Sequence, residues 1–145
     1  AISRQNPSLR PRLVFQEPTL LPWLTVTENL SIVCEDIESQ THWLSLFDLS
    51  EVGQLRPGQL SLGMQRRIAI VRGILARPRL LLLDEPSASL DPANVERLIA
   101  NIRAAISEES VPTIIVTHSP RDFEALRPSY FELTGRPATL NQSRT

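Results

Sequence analysis

A chain of 145 residues with 41% hydrophobic content is long enough for one globular core and too short for two ordinary domains. Its fifteen basic residues are all arginine and face sixteen Asp and Glu, so the net charge is −1. That balance excludes the overall basic field that would gather nucleic acid or an anionic membrane, and no nucleic-acid partner is expected.

The first eleven residues are polar, contain Pro7 and Pro11, and read as a tail or as a loop belonging to something longer. Arg12–Phe15 is a short apolar run of strand type, ended by Gln16-Glu17-Pro18. From Thr19 to Leu55 the pattern is irregular and reads as a mostly helical insert, with a helix start at Thr27–Leu30 and a further stretch around Trp43–Leu49. Met64, Ile68, Val71 and Leu75 then recur at helical spacing, which predicts an amphipathic helix to about Ala76 with Arg66, Arg67 and Arg72 off the apolar stripe. Leu80–Leu83 is an apolar run of strand length without alternation, which predicts a strand covered on both faces. Asp91-Pro92 opens the next helix, whose core face carries Val95, Leu98, Ile99, Ile102 and Ile106. Thr113–Thr117 is a second buried strand closed by His118, Arg121–Leu126 is a short helix, and Tyr130–Leu133 with Ala138–Leu140 form a terminal strand pair around Gly135.

Strand alternating with helix predicts an α/β fold with a mostly parallel sheet, whose ligand site lies beyond the carboxyl ends of its strands. Gln16, Asp84-Glu85 and His118 each follow a predicted strand, so three separate segments should deliver polar groups to one sheet edge. Two carboxylates at a strand end suit nucleotide hydrolysis: the first can hold Mg²⁺ and the second can orient or deprotonate water. Taken alone, the same pattern also describes a strand reaching solvent. Likewise Ser61 and Gly63 stand where a helix N-terminus favours phosphate, and where an ordinary helix cap would use the same residues. Cys34 can form no internal disulfide and reads as a small apolar filler in a reducing setting, and His42 as a surface or satisfied histidine.

Gln16 within Val14–Glu17, the Leu60–Gln65 segment, Leu80–Pro86, Ser89-Leu90-Asp91 and Thr117-His118 resemble, in order and spacing, the Q-loop, signature, Walker B, D-loop and switch histidine of ABC ATPases. The resemblance covers about Arg12 to Leu140. It implies a P-loop NTPase-like sheet with a helical subdomain, at about residues 19–76, followed by the C-terminal part of the catalytic core, at about 77–145. It further implies ATP and Mg²⁺ as cofactors, with Asp84 and Gln16 on the metal, Glu85 as general base and His118 on the γ-phosphate. Ser61, Gly63 and Gln65 would cover the ATP held by a second ABC ATPase domain in a head-to-tail dimer, and Asp91 would link the two sites. Phe15–Leu24 looks like the corresponding stretch of nitrate, sulfonate and taurine importers, which implies contact with a membrane permease near Pro18–Leu24 and a cytoplasmic, peripheral location.

Two departures accompany the resemblance. Leu62 stands where the family's signature usually has glycine. With no lysine and only five scattered glycines, these 145 residues contain no G-x-x-x-x-G-K-[ST] phosphate-binding loop, which the family places upstream of the Q-loop. The leading expectation is therefore an importer ATPase subunit truncated at its N-terminus, whose coding sequence continues upstream. The alternatives are a non-catalytic partner lending its signature and D-loop to another ATPase, and a decayed fragment.

Overall fold

The computed structural model describes residues 10–134 and 139–143. Three parallel strands form the central sheet: β1 (Pro11–Val14), β2 (Leu80–Asp84) and β3 (Thr113–Val116), in the spatial order β1-β2-β3. Their register sets Val14 beside Leu83 and Asp84 beside Val116, so all three carboxyl ends lie at one edge. A separate antiparallel pair, β4 (Tyr130–Thr134) and β5 (Thr139–Ser143), matches the expected terminal pair; Gly135 and Ala138 lie outside the described residues.

Among the described residues there are four α-helices. The first two, α1 (Val26–Ser31) and α2 (Ile37–Leu46), fill the segment read as a helical insert. α1 starts with a capping box: Thr25 Oγ1 accepts from Glu28 N at 3.2 Å, and Thr25 N donates to Glu28 Oε2 at 2.7 Å. α2 is capped by Asp36, which accepts from Glu38 N. α3 (Leu62–Leu75) carries the stripe of Ile68, Val71 and Leu75 and stops at Ala76, before Pro78. α4 (Pro92–Glu109) has Asp91 as its N-cap and proline in its first turn, and ends on Ser110 in the left-handed conformation, φ 51°. A 3-10 helix over Pro120–Leu126 follows β3.

The core runs from Phe47, Leu49 and Trp43 in the insert, through Ile68, Ile70 and Val71 of α3, to Leu81, Leu83, Leu98 and Ile102. α3 is its axis, packing against α1, α2, α4, β1 and β2 together. That central position overturns one expectation. Arg66 and Arg67, read as the polar face of α3, are each only 6% exposed, because neighbours enclose the helix on more than its apolar stripe. Burial lowers both pKa values; for Arg67 the Arg97 charge lowers it further while Asp48 opposes. Arg66 Nε and Nη1 and Arg67 Nε find no hydrogen-bond partner among the described residues.

A second expectation also changes. β2 is buried on one face only, at Leu81 and Leu83. On the opposite face the neighbouring strands leave Leu13 43%, Ile114 51% and Val116 55% exposed. The unbroken leucine run reflects apolar residues on both faces, while the described helices cover only one.

Candidate functional site

The shared carboxyl edge of the sheet assembles the residues. β2 ends at Asp84, and the chain then turns through Glu85 in the left-handed region, φ 45°, a conformation that costs a non-glycine residue free energy. The turn aims the Glu85 side chain across the sheet edge toward the end of β3. There Glu85 Oε1 accepts the His118 backbone N–H at 2.8 Å, Oε2 lies 3.4 Å from Thr117 Oγ1, and Oε1 stands 3.7 Å from His118 Nε2. Glu85 N in turn donates to the Val116 carbonyl at 2.8 Å, so this junction is stitched in both directions. The Glu85 side chain is 17% exposed and that of His118 is fully exposed, so a shielded carboxylate sits beside an imidazole free to meet a ligand.

Asp84 is half-buried, and its carboxylate makes no side-chain hydrogen bond among the described residues. Gln16 is exposed two residues beyond the end of β1. The structure therefore brings Gln16, Asp84, Glu85 and His118 to one edge, with direct contact shown for Glu85 and His118. Among the described residues no cluster of three or more acidic, His or Cys side chains forms a metal cage. The Asp84 carboxylate and the Gln16 amide oxygen are hard donors of the kind that fits Mg²⁺, which keeps several waters and takes further oxygens from phosphate.

A second group stands at the start of α3. Ser61 is exposed and caps the helix, its Oγ accepting from Met64 N at 3.2 Å. Gly63 faces Leu90, and an added Cβ there would lie 3.3 Å from Leu90 Cδ2, so glycine permits close packing against the segment leading to Asp91. Gln65 turns its amide back, Nε2 donating to the Leu60 carbonyl at 3.1 Å. Leu62, where the resembled family usually has glycine, lies in the first helical turn with its side chain 46% exposed. Asp91 accepts from Asn94 through both side chain and backbone N–H, and these bonds, the side-chain one foremost, lower its pKa.

Three supports escaped the sequence reading. Asn29 is fully buried and organises the loop before α1: its Oδ1 accepts from Leu21 N at 2.8 Å, and its Nδ2 donates to the carbonyls of Leu21, Leu24 and Thr25. That loop presents Trp23, which is 65% exposed. Arg72 of α3 reaches the backbone of Pro18 and Thr19. Ser87, buried two residues after Glu85, donates to Asp122 Oδ2 at 2.9 Å and ties the β2 turn to the 3-10 helix after His118. Only chain order hinted at these, since the bonding partners are backbone groups or lie far off in sequence.

Known proteins resemble this chain in sequence and in fold. Residues 2–88, more than half of the chain, match the family described as ABC transporter. The chain is 37% identical over 134 residues to the aliphatic sulfonates import ATP-binding protein SsuB 1 of Pseudomonas aeruginosa, covering 90% of this chain and 53% of that protein. It is 37% identical over 116 residues to the nitrate import ATP-binding protein NrtC of a Synechocystis species, covering 73% of this chain and 17% of that one. The dimeric structure of MJ0796, a bacterial ABC transporter cassette, superposes with a TM-score of 0.68 at 26% identity, covering 80% of this chain and 55% of that one. The same cassette in a post-hydrolysis state bound to ADP and phosphate gives 0.65 at 28%, covering 79% and 54%. The chain thus spans about half the length of the sulfonate relative and of the cassette. Among the described residues no helix is long and apolar enough to cross a membrane. On the family match over residues 2–88, together with the fold it shares with the cassette structure, the chain belongs to the ABC transporter family.

Proposed function

We propose that this chain is part of an ATP-hydrolysing subunit that drives import of a small solute through a membrane permease, held at the cytoplasmic face by that permease. The observation that carries this reading is the Glu85–His118 junction at the end of β2 and β3, beside the half-buried Asp84. Names of related import ATP-binding proteins support the direction of transport and leave sulfonate, nitrate or another small anion as the solute.

In this reading Asp84 and Gln16 would hold Mg²⁺, which would supply positive charge against the ATP phosphates. Glu85 Oε2 orients the attacking water and accepts its proton, while Oε1 stays anchored on His118 N. The exposed His118 imidazole donates to the terminal phosphate. Ser61, Gly63 and Gln65 present a helix N-terminus to the nucleotide of a second ATPase domain, with Asp91 at the boundary between the two sites. The reading requires a phosphate-binding loop from outside these 145 residues, since they contain no lysine.

The chain joined upstream to a phosphate-binding segment from a related importer cassette should hydrolyse MgATP. Glu85→Gln keeps an oxygen acceptor for His118 N but removes the base, and should lower turnover by about 10²–10⁴-fold while ATP binding persists. Equal turnover in the two proteins would refute the assignment.

A further inference from the structure

We infer that Arg72 is a positioning residue: by clamping Pro18 and Thr19 it fixes the angle at which α3 presents Ser61 and Gly63, and ties that helix to the segment carrying Gln16. The inference rests on the reading of Ser61 as a contact to a partner's nucleotide.

Arg72 Nη2 donates to the Thr19 carbonyl at 3.0 Å, to Thr19 Oγ1 at 3.2 Å and to the Pro18 carbonyl at 3.5 Å. Thr19 is held with φ 46°, a strained conformation for a β-branched residue that persists only where surroundings impose it. No carboxylate lies within ion-pair distance of Arg72 among the described residues, so its charge is spent on backbone oxygens. Burial, and then the Arg12 charge, lower the Arg72 pKa, as expected for a guanidinium packed away from water. All three contacts come from Nη2, so a lysine ammonium, with its three N–H donors, can replace part of the grip where its shorter stem reaches.

The neighbouring residue holds the same helix end from another side. A Cβ at Gly73 would lie 2.8 Å from Val14 Cγ2, so α3 rests directly on the last residue of β1. Gly73 thus seats the helix on the strand, and Arg72 grips the chain four and five residues beyond that strand.

Geometry converts this grip into leverage. Ser61 precedes Arg72 by eleven residues, so the two ends are roughly 16 Å apart along the helix. A tilt of about 10° at the clamped end moves the Ser61 end by about 3 Å along that lever. Misplacement by about 1 Å can cost about 100-fold in rate where positioning matters.

The test uses the 145-residue chain in two arms, with Arg72→Gln and Arg72→Lys. Hydrogen exchange reads the clamp: Arg72→Gln should speed exchange in residues 16–24 at least tenfold, leave residues 98–105 protected, and be partly reversed by lysine. Turnover reads positioning: wild-type chain added to a complete related cassette should accelerate its ATP hydrolysis, and Arg72→Gln should cut that gain at least tenfold without changing the KM for ATP. Unchanged exchange in residues 16–24, or faster exchange with the full gain retained, overturns the inference. If wild-type chain gives no gain, the reading of Ser61 fails, and with it the positioning role of Arg72; faster exchange would then mark a purely structural clamp.

Discussion

The Glu85 carboxylate holds the backbone N–H of His118, not its ring, at 2.8 Å. The imidazole is left fully exposed, so its removal should be nearly neutral for folding. His118→Ala is therefore expected to shift stability by less than about 0.5 kcal/mol in urea unfolding. In the assembled ATPase the same change should lower turnover by about 10²-fold or more, since it removes a donor to developing charge. Glu85→Ala should behave differently and lose stability as well, by about 1 kcal/mol, because His118 N and Thr117 then lose their acceptor.

Asn29→Ala should be among the most damaging single changes in the helical segment. The side chain is fully buried and makes four bonds with the backbone of Leu21, Leu24 and Thr25. Truncation leaves a donor and carbonyls short of partners, at a cost of about 2–4 kcal/mol. A denaturation midpoint measured by far-UV circular dichroism checks the loss, and hydrogen exchange should place the loosening at residues 20–25.

Gly73→Ala sets two effects against each other. Alanine gains about 1 kcal/mol of helix propensity over glycine. The new methyl would meet Val14 Cγ2 at 2.8 Å, and the β-branched valine at the end of β1 has little room to turn away. Overpacking of this kind costs about 1–3 kcal/mol, so a net loss of roughly 1 kcal/mol is expected in thermal or urea unfolding.

Acid should loosen the helix starts before it reaches the core. Glu28, Asp36 and Asp91 all have lowered pKa values, owing first to the backbone N–H of Thr25, the hydroxyl of Ser39 and the amide of Asn94 respectively. A carboxylate whose folded pKa lies below its unfolded value contributes stability above the unfolded pKa, and loses it as pH falls through the folded value. The melting temperature should therefore hold level from about pH 7 to 5 on account of these groups, then fall through about pH 4 and below. Asp36→Asn and Asp91→Asn together should flatten that fall.

The strand ends and the starts of the two longer helices were legible in the sequence because they depend on local chemistry. Pro11–Val14, Leu80–Asp84 and Thr113–Val116 end within a residue or so of where their apolar runs end, and Ser61 and Asp91 cap the helices that follow. The caps Thr25 and Asp36 were missed: the first start was placed at Thr27, and the second helix, Ile37–Leu46, was read only around Trp43–Leu49 because its apolar pattern is irregular. Convergence of Gln16, Asp84, Glu85 and His118 at one edge followed from parallel strands alone. The burial of Arg66 and Arg67 was not legible, since periodicity reports one apolar stripe and cannot show that five elements surround α3. Asn29, Arg72 and Ser87 were missed because their partners are backbone oxygens or a distant aspartate, which leave no pattern in residue type. The leucine run of β2 was read as covered on both faces because an apolar residue reports what it could bury, not what covers it.

The proposed head-to-tail arrangement has Ser61 and Gly63 completing a nucleotide site of a second cassette while Asp84, Glu85 and His118 serve the chain's own. It is tested most directly by titrating this chain into a complete importer-type cassette and following ATP hydrolysis. The rate should rise, saturate near one chain per cassette, and lose that rise with Ser61→Ala while the fold stays intact. A rate that stays flat, or a rise that Ser61→Ala leaves untouched, would contradict it.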